Sequence, residues 1–511
     1  MNLLIRTDSS ITMGTGHLMR CLTLADALKE KGADVHFICR DLQGNLSHIV
    51  KGHGHKLHLL LASKDDFKLQ ADHPAHASWL KVSWQEDLQD TLQITCSVTE
   101  KFDWVIVDSY ALDYRWEQKM RAKADKIMVI DDLADRKHDS DLLLDQNYFA
   151  QLETRYQDLV PEHCQKLLSP IYALLRPEFR QAKKFCRMRG NGTVRILVYF
   201  GGNDHDNLTG MALEALSCPE LEHMYVDVVV GPHNSYMKNL KEQVNNRSKV
   251  RLHVQPDGFV ELLLRADLCI GAGGTTTWER MCLDIPSIVI TTALNQEALT
   301  FELNRANFLR WIGSKKTVSV QKIKSAVIQE ISKNDSMDTK SMPNMVDGYG
   351  ALRITEMLVP SSSKTLRIRH TLITDMEIYF LWVNDPVSRK SAFNNKDITW
   401  DTHKAWFEKK IDSTRTIMWV LETRQGLPVG QIRFDIENNT ANLDYSLDLF
   451  VRGRGWAKIL LTMGINAFKA ENRQVSVRAE VKNENYQSCM AFQCIGFTKE
   501  KQGGVTVFRL Q

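Results

Sequence analysis

The feature that most constrains this chain is the alternation, along its first half, of short apolar runs with segments of helical periodicity. Leu3 to Arg6 is predicted to be a strand, Leu18 to Lys31 a helix, and Val35 to Cys39 the next strand. Strands that alternate with helices form a parallel sheet, which carries its binding loops at the carboxyl edge. Three further apolar runs end in or are followed by Asp, namely residues 104–107, 127–130 and 142–144.

A second series of the same kind begins after a basic stretch with few apolar residues, Gln181 to Gly192. Its strand-like runs are each followed by Gly or Thr and are residues 196–200, 226–230, 268–270 and 287–290. Two consecutive Rossmann-like halves resemble the GT-B architecture of glycosyltransferases, in which the substrate lies in the cleft between the halves. We therefore expect an α/β fold with one half over residues 1–190 and another over residues 191–358.

The character of the sequence changes beyond Val359 to Lys364 (VPSSSK), which has the composition of a linker. Residues 365–511 combine strand-like runs with two helical segments, over a length typical of one mixed α+β domain. The predicted strands are residues 366–369, 417–422, 430–434, 441–451 and 475–481.

Composition narrows the classes of function. A chain of 511 residues is too long for one core. Its formal net charge is +3, and its basic residues do not form a stripe, so nucleic acid is a poor candidate partner. The ten cysteines are scattered without a CxxC pair, which indicates reduced thiols, and no apolar run reaches membrane-spanning length. We expect a cytoplasmic protein without a membrane partner.

A Gly-rich loop between the first strand and the first helix carries the first candidate site. In ITMGTGHLMR, Gly14 and Gly16 let backbone N–H groups approach a ligand closely. His17 follows directly, and a neutral imidazole there could remove a proton from water near pH 7. A histidine that only caps the helix or packs against the loop would fit the spacing as well.

Seven motifs occur in order over residues 1–355: RTDSS, GTGHLMR, VDSY, VIDD, YALLRPEF, FGGNDHDNLT and DGYGALRI. Together they resemble the UDP-2,4-diacetamido-2,4,6-trideoxy-β-L-altropyranose hydrolases of pseudaminic acid biosynthesis. The resemblance implies cleavage of the C1–oxygen bond of a UDP-sugar, without a metal and with inversion. His17 matches the family's catalytic histidine, which activates the water, and Tyr110 matches a tyrosine that lines the active site. Arg6 and Asp8 would orient the loop or the sugar.

A second Gly-rich turn, GAGGTTTWER at 271–280, follows a strand and precedes a helix. Its glycines permit a close approach to phosphate, and its threonines offer hydroxyl and amide donors. Glu279 could accept both ribose hydroxyls, as an acid does at this place in similar GT-B proteins, or could only stabilise the helix dipole. Residues 201–203 form another strand exit facing the cleft, and residues 295–296 resemble a family motif near the sugar. The predicted UDP-sugar site comprises Arg6, Asp8, Gly16, Gly201, Gly202, Asn203, Gly273, Gly274, Thr275, Thr276, Glu279, Asn295 and Gln296.

LFVRGRGWA at 449–457 predicts a strand ending at Val451 and a loop that opens a helix. The loop fits R/Q-x-x-G-x-G/A, the pyrophosphate loop of the GNAT acetyltransferases, whose backbone N–H groups bind coenzyme A. VKNENYQSCMAFQCIGF at 481–497 resembles the ending of the same family. The two motifs imply acetyl-CoA as co-substrate, bound by Phe450, Val451, Arg452, Gly453, Arg454, Gly455, Trp456, Ala457, Asn483, Asn485 and Ser488.

Two further motifs bear on the acceptor. LWVND at 381–385 and THKAWF at 402–407 resemble the acetyltransferase that modifies the C4 amine of UDP-4-amino-4,6-dideoxy-N-acetyl-β-L-altrosamine, whose product is the hydrolase's substrate. LWVND also resembles ribosomal-protein acetyltransferases. Many relatives carry a tyrosine that protonates the departing thiolate, and Phe492 stands in that register here. Tyr486 lies six residues earlier and is not an obvious substitute, so the general acid stays open.

Two groups of histidines and aromatic residues are weaker candidates. His53, His55, His58, His73 and His76 lie close in sequence, but nothing else supplies zinc-ligand geometry, so we expect structural roles and no metal. The face formed by residues 400, 403 and 406 could be core or could line the sugar pocket.

The combined interpretation is a bifunctional enzyme that acetylates an aminosugar nucleotide and hydrolyses the product to UDP and free sugar. It predicts a catalytic-loop half (1–190), a UDP-binding half (191–358), a linker (359–364) and a GNAT domain (365–511). One alternative is a GT-B glycosyltransferase joined to a protein acetyltransferase. Another is a GNAT domain that senses acetyl-CoA without transferring acetyl.

Overall fold

A computed structural model of the protein describes residues 1–63, 69, 73–185, 193–245, 247–334 and 345–510. These residues form two compact units, one ending at Leu358 and the other beginning at Val359. The predicted boundary between residues 190 and 191 and the last residue of the predicted GNAT domain lie outside the described residues.

The first part of the first unit is a seven-stranded, wholly parallel sheet in the order β3-β2-β1-β4-β5-β6-β7. Its strands are β1 (Asn2–Thr7), β2 (Asp34–Arg40), β3 (Lys56–Leu60), β4 (Phe102–Asp108), β5 (Ala124–Ile130), β6 (Leu142–Asp145) and β7 (Gln165–Leu168). The accompanying helices are α1 (Gly16–Glu30), α2 (His48–Gly52), α3 (Trp84–Val98), α4 (Tyr114–Met120) and α5 (Pro177–Lys183).

A second parallel sheet follows in the same unit, in the order β10-β9-β8-β11-β12-β13. Its strands are β8 (Arg195–Tyr199), β9 (Tyr225–Val230), β10 (Val250–Val254), β11 (Leu268–Ala272), β12 (Ser287–Thr291) and β13 (Arg310–Ser314). Its helices are α6 (Leu208–Ala215), α7 (Met237–Asn245), α8 (Phe259–Arg265), α9 (Thr276–Cys282), α10 (Glu297–Arg305), α11 (Val320–Asn334) and α12 (Gly350–Leu358).

Burial explains why these strands are continuously apolar. Leu3, Leu4 and Ile5 of β1 are all buried, because helices cover both faces of a parallel sheet. α12 then returns to the first half, where Glu356 pairs with Lys31 of α1 and Arg353 donates to the carbonyl of Ile171. The last helix therefore joins the two halves into one unit.

The second unit contains a seven-stranded mixed sheet in the order β14-β15-β16-β17-β18-β20-β19. Its strands are β14 (Arg367–His370), β15 (Thr416–Glu422), β16 (Pro428–Glu437), β17 (Thr440–Leu447), β18 (Ser476–Lys482), β19 (Thr498–Gln502) and β20 (Val505–Leu510). The helices are α13 (Met376–Asn384), α14 (Pro386–Ser391), α15 (Trp400–Ile411), α16 (Trp456–Glu471) and α17 (Tyr486–Cys494).

The sheet of the second unit opens in its middle. β17 and β18 are its parallel pair, and they are in register only at Thr440–Asn442 opposite Ser476–Arg478. Beyond that point the two strands separate, so that residues 443–447 do not pair with residues 479–482. The opening exposes backbone and side chains of both strands to a ligand.

The predicted fold class is confirmed in its layout: two parallel α/β halves precede a mixed α+β domain. One predicted strand was wrong at its end. β17 stops at Leu447, and Leu449–Val451 form a short 3-10 helix in which the backbone N–H of Phe450 donates to the side chain of Asp448. Among the described residues, none of the helices combines the length and the apolar character that a membrane crossing requires.

Candidate functional sites

The first site lies where β1 and β4 end and α1 begins. β1 and β4 are parallel neighbours, and their register sets Thr7 beside Asp108. His17 is the second residue of α1, and its Nδ1 lies 2.6 Å from Oδ1 of Asp108. Because Nδ1 is engaged by a carboxylate, Nε2 is the nitrogen left to accept a proton. The ring is therefore oriented by Asp108 and does not cap the helix.

Arg20 and Asp132 extend this pair into a network. The guanidinium of Arg20, one turn after His17 on α1, donates to both oxygens of Asp108 at 2.7 and 2.6 Å and also to Asp132. Tyr110 donates to the same oxygen of Asp132 at 2.6 Å, and its ring packs edge-on against that of His17 at 4.5 Å. Asp108, Arg20, Asp132 and Tyr110 thus form one connected network around His17.

The charges of this network fix its protonation. Burial opposes ionisation of Asp108, but the positive charge of Arg20 and the hydrogen bonds from Arg20 and His17 outweigh it and lower the pKa of Asp108 well below its usual value. Burial, followed by the charge of Asp132, raises the pKa of Tyr110 well above its usual value. Asp108 is therefore a carboxylate and Tyr110 a neutral phenol throughout the physiological range.

A pocket of about 10 Å³ adjoins the imidazole, which is room for about one water molecule. Asp8 contributes to its wall, and Oδ2 of Asp8 is buried without a hydrogen-bond partner among the described residues. The lining residues are Asp8, Met13, His17, Trp79, Asp108, Ser109, Tyr110 and Ala111. The structure thus brings His17, Tyr110 and Asp8 together, as the sequence predicted for residues of one site.

Arg6 requires a correction. Its side chain is completely buried, and its guanidinium pairs with Asp8 at 2.7 Å and with Asp87 at 2.6 Å. A group enclosed in this way cannot contact a ligand without unfolding its surroundings. Arg6 therefore holds the Asp8 carboxylate in place, and the predicted contact with the UDP-sugar is withdrawn.

The second Gly-rich turn packs against a neighbouring loop of its own half. A Cβ on Gly273 would lie 2.7 Å from Oγ1 of Thr300, and one on Gly274 would lie 3.9 Å from Nε2 of Gln296. Oε1 of Gln296 accepts hydrogen bonds from the backbone and hydroxyl of Thr292. Gly273 and Gly274 therefore pack against the segment that carries Gln296, while Asn203 and Asn295 are exposed.

Glu279 lies on the first turn of α9 and is the fourth residue of that helix. Burial raises the pKa of Glu279, and the nearby charge of Arg176, whose Nη2 is 3.7 Å away, opposes the rise. Tyr199, whose pKa is raised by burial and then by Glu279, closes the other side. Glu279 is an acceptor with unused capacity, because Arg176 is too distant to saturate it.

The two Gly-rich loops meet. A Cβ on Gly16 would lie 3.4 Å from Cγ2 of Thr275, so the loop that carries His17 touches the turn that precedes Glu279. Gly201 and Gly202 reach the same sheet edge, where Gly202 packs on the backbone of Gly231. A ligand contacting Thr275 would therefore also be close to the start of α1.

The second unit has a cavity of about 690 Å³ at the opening between β17 and β18. Predicted acetyl-CoA residues that line it are Arg452, Gly453, Gly455, Trp456, Ala457, Asn485 and Ser488. Gly453 and Gly455 have φ values of +79° and +75°, a left-handed backbone that turns successive N–H groups toward one side. A volume of this size suits a cofactor-sized ligand.

Four other predicted acetyl-CoA residues are not among those lining the cavity. Val451 is buried in the core, and Asn483 donates to the carbonyl of Gly503 and accepts from Thr506. The guanidinium of Arg454 lies over the ring of Trp456. Phe450 lies in the 3-10 helix Leu449–Val451, where the sequence had predicted the end of a strand. Val451 and Asn483 thus support the loop and helix that face the cavity.

Aromatic side chains line one part of the cavity. His403 and Trp406 of α15 both contribute to its wall, whereas Trp400 packs on Phe380. Nε2 of His403 lies 2.9 Å from the carbonyl of Met376, and burial lowers the pKa of His403. The His403 imidazole is therefore neutral and donates to that carbonyl, so the two interpretations of this face, core and pocket, both apply to it.

Asp108 and Asp132 lie in the motifs VDSY and VIDD, and Arg20 lies in GTGHLMR, but the sequence alone did not identify these three residues as part of the site. The signal for them was present: each aspartate ends or follows a predicted strand, and Arg20 is three residues after His17 on a helix. Among the described residues, no three His, Cys, Asp or Glu side chains are grouped so as to hold a metal ion.

Known proteins are similar to both parts of the chain. Residues 365–498 match the acetyltransferase (GNAT) domain family. The UDP-2,4-diacetamido-2,4,6-trideoxy-β-L-altropyranose hydrolase of Campylobacter jejuni is 25% identical over 299 residues, 58% of this chain and 94% of that enzyme. An uncharacterized protein of Methanocaldococcus jannaschii is 23% identical over 518 residues, 98% of each chain. The structure of MurG from Acinetobacter baumannii, 11% identical, covers 70% of this chain and 99% of its own with a TM-score of 0.46.

The chain thus joins a unit that is similar to an enzyme acting on a nucleotide sugar to a domain that matches the GNAT acetyltransferase family. More particularly, its first part is similar to a UDP-sugar hydrolase, and the similarity to the M. jannaschii protein extends over both parts.

Proposed function

We propose that the chain is a bifunctional enzyme that N-acetylates the C4 amine of a UDP-linked aminosugar and hydrolyses the acetylated UDP-sugar to UDP and free sugar. The observation that carries the hydrolase half is the His17–Asp108 pair at 2.6 Å, set beside a one-water pocket and next to Thr275. This combination supplies a base, a site for water and a neighbouring site for the nucleotide.

Hydrolysis would begin with a proton transfer from water to Nε2 of His17. The carboxylate of Asp108 holds the tautomer that leaves Nε2 free and stabilises the imidazolium that forms. The water oxygen attacks the anomeric carbon, the C1–oxygen bond breaks, and UDP departs with the bonding electrons. Attack from the side opposite to UDP inverts the anomeric centre.

UDP would bind at the second Gly-rich turn. Gly274 leaves room for phosphate beside the backbone, whereas Gly273 packs against Thr300 and shapes the turn. The hydroxyls of Thr275 and Thr276 are suitable donors. Glu279 would accept the ribose hydroxyls, since Arg176 leaves part of its capacity unused. Because Gly16 touches Thr275, a sugar attached to this UDP would extend toward His17.

Acetyl transfer would take place in the cavity of the second unit. Backbone N–H groups of Gly453 and Gly455 would bind the pyrophosphate of acetyl-CoA, and the aromatic part with His403 and Trp406 would receive the acceptor. The similarity of the first unit to a hydrolase that removes UDP from a diacetamido sugar supports an aminosugar nucleotide as the acceptor.

The test is mass spectrometry of UDP-4-amino-4,6-dideoxy-N-acetyl-β-L-altrosamine incubated with acetyl-CoA and the full chain. The wild type is expected to form free diacetamido sugar and UDP, and His17→Ala to accumulate the acetylated UDP-sugar. His233→Ala, which changes an exposed histidine of the same unit, serves as the control and should match the wild type. Release of free sugar by His17→Ala at the wild-type rate would refute the hydrolase mechanism.

The alternatives give other products in the same assay. A glycosyltransferase would release UDP only when a sugar acceptor is added. A GNAT domain that only senses acetyl-CoA would bind it and leave the amine unmodified.

A further inference from the structure

The cavity of the second unit lacks a hydroxyl where many GNAT enzymes carry one. Phe492 stands in that register on α17, and its ring is buried against Phe497 and Phe508. A phenyl ring has no proton to give to a departing thiolate. If acetyl transfer occurs here, another group has to supply that proton.

A second tyrosine lies beside Phe492 in space, although it is distant in sequence. Tyr445 is on β17, its ring meets that of Phe492 edge-on at 5.7 Å, and both side chains line the cavity. Its hydroxyl donates to Oγ of Ser488 at 3.0 Å. Ser488 is on α17 one turn before Phe492, so the two hydroxyls occupy the region next to the missing one.

Ser488 is fixed for this role by the start of α17. The side chain of Asn485 accepts a hydrogen bond from the backbone N–H of Ser488 at 3.1 Å, which holds the first turn of the helix. Since Tyr445 donates to Oγ of Ser488, the hydroxyl proton of Ser488 is free to point toward a ligand in the cavity. The direction of the hydrogen bonds is therefore from Tyr445 to Ser488 to the ligand.

We propose that Tyr445 and Ser488 form a proton relay that protonates the thiolate leaving group during acetyl transfer. This inference rests on the proposed acetyltransferase function. The acceptor amine attacks the acetyl carbon, the carbon–sulfur bond breaks, and its electron pair stays on sulfur. Ser488 gives its proton to sulfur and takes the proton of Tyr445, and the surplus proton of the new amide nitrogen returns through solvent to Tyr445.

The surroundings of Tyr445 keep its hydroxyl group protonated. Burial raises the pKa of Tyr445, and the hydrogen bond to Ser488 opposes the rise only in part. The phenol therefore keeps its proton at the alkaline pH at which an acceptor amine becomes unprotonated. Its half-buried position in the cavity wall leaves Tyr445 a route for taking up a proton from solvent between turnovers.

The test compares hydroxyl deletions in the full chain. Tyr445→Phe is expected to lower kcat for acetyl transfer to the aminosugar nucleotide on the order of 100-fold, with KM for acetyl-CoA and Kd for CoA within about twofold of wild type. Tyr486→Phe removes an exposed hydroxyl from α17, the helix that carries Ser488. It is the matched control, with no expected change. Ser488→Ala should lower kcat as Tyr445→Phe does, and Ser488→Thr should restore it.

A rescue variant separates proton supply from packing. Phe492→Tyr placed in the Tyr445→Phe background returns a hydroxyl to the cavity and should recover at least about tenfold of the lost kcat. Wild-type kcat in Tyr445→Phe, or an equal loss in Tyr486→Phe, would overturn the relay. A loss of CoA binding in parallel with kcat would also overturn it, because it would mean that Tyr445 only shapes the cavity.

A probe that does not depend on the acceptor distinguishes this inference from the proposed function. Hydroxylamine is a small nucleophile that accepts acetyl from acetyl-CoA to give acetohydroxamate and free thiol. If the wild type acetylates hydroxylamine but not the aminosugar nucleotide, the acceptor assignment is wrong, and the effect of Tyr445→Phe on the hydroxylamine reaction decides the relay. If the wild type releases no thiol with either nucleophile, both are wrong.

Discussion

The two units prepare their chemistry in different ways. In the first unit, one imidazole is fixed by buried charges: Asp108 orients His17, and Arg20 ties Asp108 to Asp132. The space next to that imidazole holds about one water molecule. In the second unit a cavity of about 690 Å³ is lined by aromatic rings, hydroxyls and the loop with Gly453 and Gly455, together with charged side chains such as Arg433 and Arg452.

This difference indicates which features of each unit would accelerate its proposed reaction. Water is a small, weak nucleophile, so the first unit has to supply a positioned base and a fixed charge pattern. An amine and a thioester react once they are aligned, so the second unit has to supply shape and, by the proposed relay, a proton for the departing thiolate. We therefore expect the first unit to fail when a single charge is removed, and the second to fail when its backbone shape changes.

The largest expected effect is that of Asp108→Asn. The amide cannot stabilise an imidazolium and can favour the wrong tautomer of His17, so UDP release should fall roughly 1000-fold while acetyl transfer is unchanged. Asp103→Asn, on the same strand β4 and outside the pocket, is the control. Both rates can be measured by separating UDP and CoA from one reaction. An Asp108→Asn enzyme with wild-type UDP release would show that the charge network is only structural.

The second prediction concerns the stability of the first unit at alkaline pH. His138 is buried, its Nδ1 lies 2.8 Å from Oε1 of Glu117, and its Nε2 lies 3.8 Å from Asp131. Burial opposes the charged form, but Glu117 and Asp131 outweigh it and raise the pKa of His138 to about 9. Since the unfolded pKa is about 6.5, this stabilisation is complete below pH 6.5 and disappears as pH rises through about 9.

The expected loss is on the order of 3 kcal/mol in the free energy of unfolding of the first unit between pH 6 and pH 9.5. Urea unfolding of the full chain, followed by hydrogen exchange of peptides from β5 and β6, measures it. His138→Gln should be less stable at pH 6 and should lack this part of the pH dependence. An equal pH dependence in His138→Gln would assign it to another group.

The third prediction tests shape in the second unit. Gly455→Ala puts a Cβ on a residue with φ of +75°, which costs about 1–2 kcal/mol and should raise the Kd for acetyl-CoA about 10-fold if the loop shifts to relieve it. Gly426→Ala imposes the same strain at φ of +79° in a turn outside the cavity. Calorimetric titration with CoA should show weaker binding for Gly455→Ala alone. Equal affinities in the two variants would remove this loop from the binding site.

The smallest expected effect is that of Glu279→Gln. An amide can keep one hydrogen bond to ribose but not two charge-assisted ones, so the KM of the UDP-sugar should rise about fivefold with kcat nearly unchanged. Glu178→Gln changes the exposed partner of Arg176 and is the control. A change in kcat without a change in KM would indicate that Glu279 takes part in the chemistry and not in nucleotide binding.

Much of the fold and the order of its parts could be predicted from the sequence. Continuous apolar runs such as that of β1 are visible because a parallel strand is buried on both faces. Edge strands such as β3 and β13 were missed, because they are only partly buried and carry a weaker apolar pattern. The end of β17 was misplaced because Leu449–Val451 remain apolar although they form a short helix.

The site was predictable as a set of loops but not as a set of partners. His17 and Tyr110 were identified by resemblance, whereas Asp108 lies 91 positions from His17 and meets it only through the parallel pairing of β1 and β4. The sequence also suggested a ligand role for Arg6. That prediction was wrong because the burial of Arg6 between two carboxylates arises only in the folded structure and is not visible in the sequence. For the same reason Tyr445 was not considered beside Phe492, to which only the folded sheet and helix bring it.

The central claim, that His17 activates water for attack at the anomeric carbon, is tested most directly by isotope labelling. The full chain is incubated with UDP-2,4-diacetamido-2,4,6-trideoxy-β-L-altropyranose in water enriched in oxygen-18, and early products are weighed by mass spectrometry. We expect one heavy oxygen in the free sugar, none in UDP, and no product from His17→Ala. Heavy oxygen in UDP, which would mean attack at phosphorus, or unchanged turnover by His17→Ala, would contradict the claim.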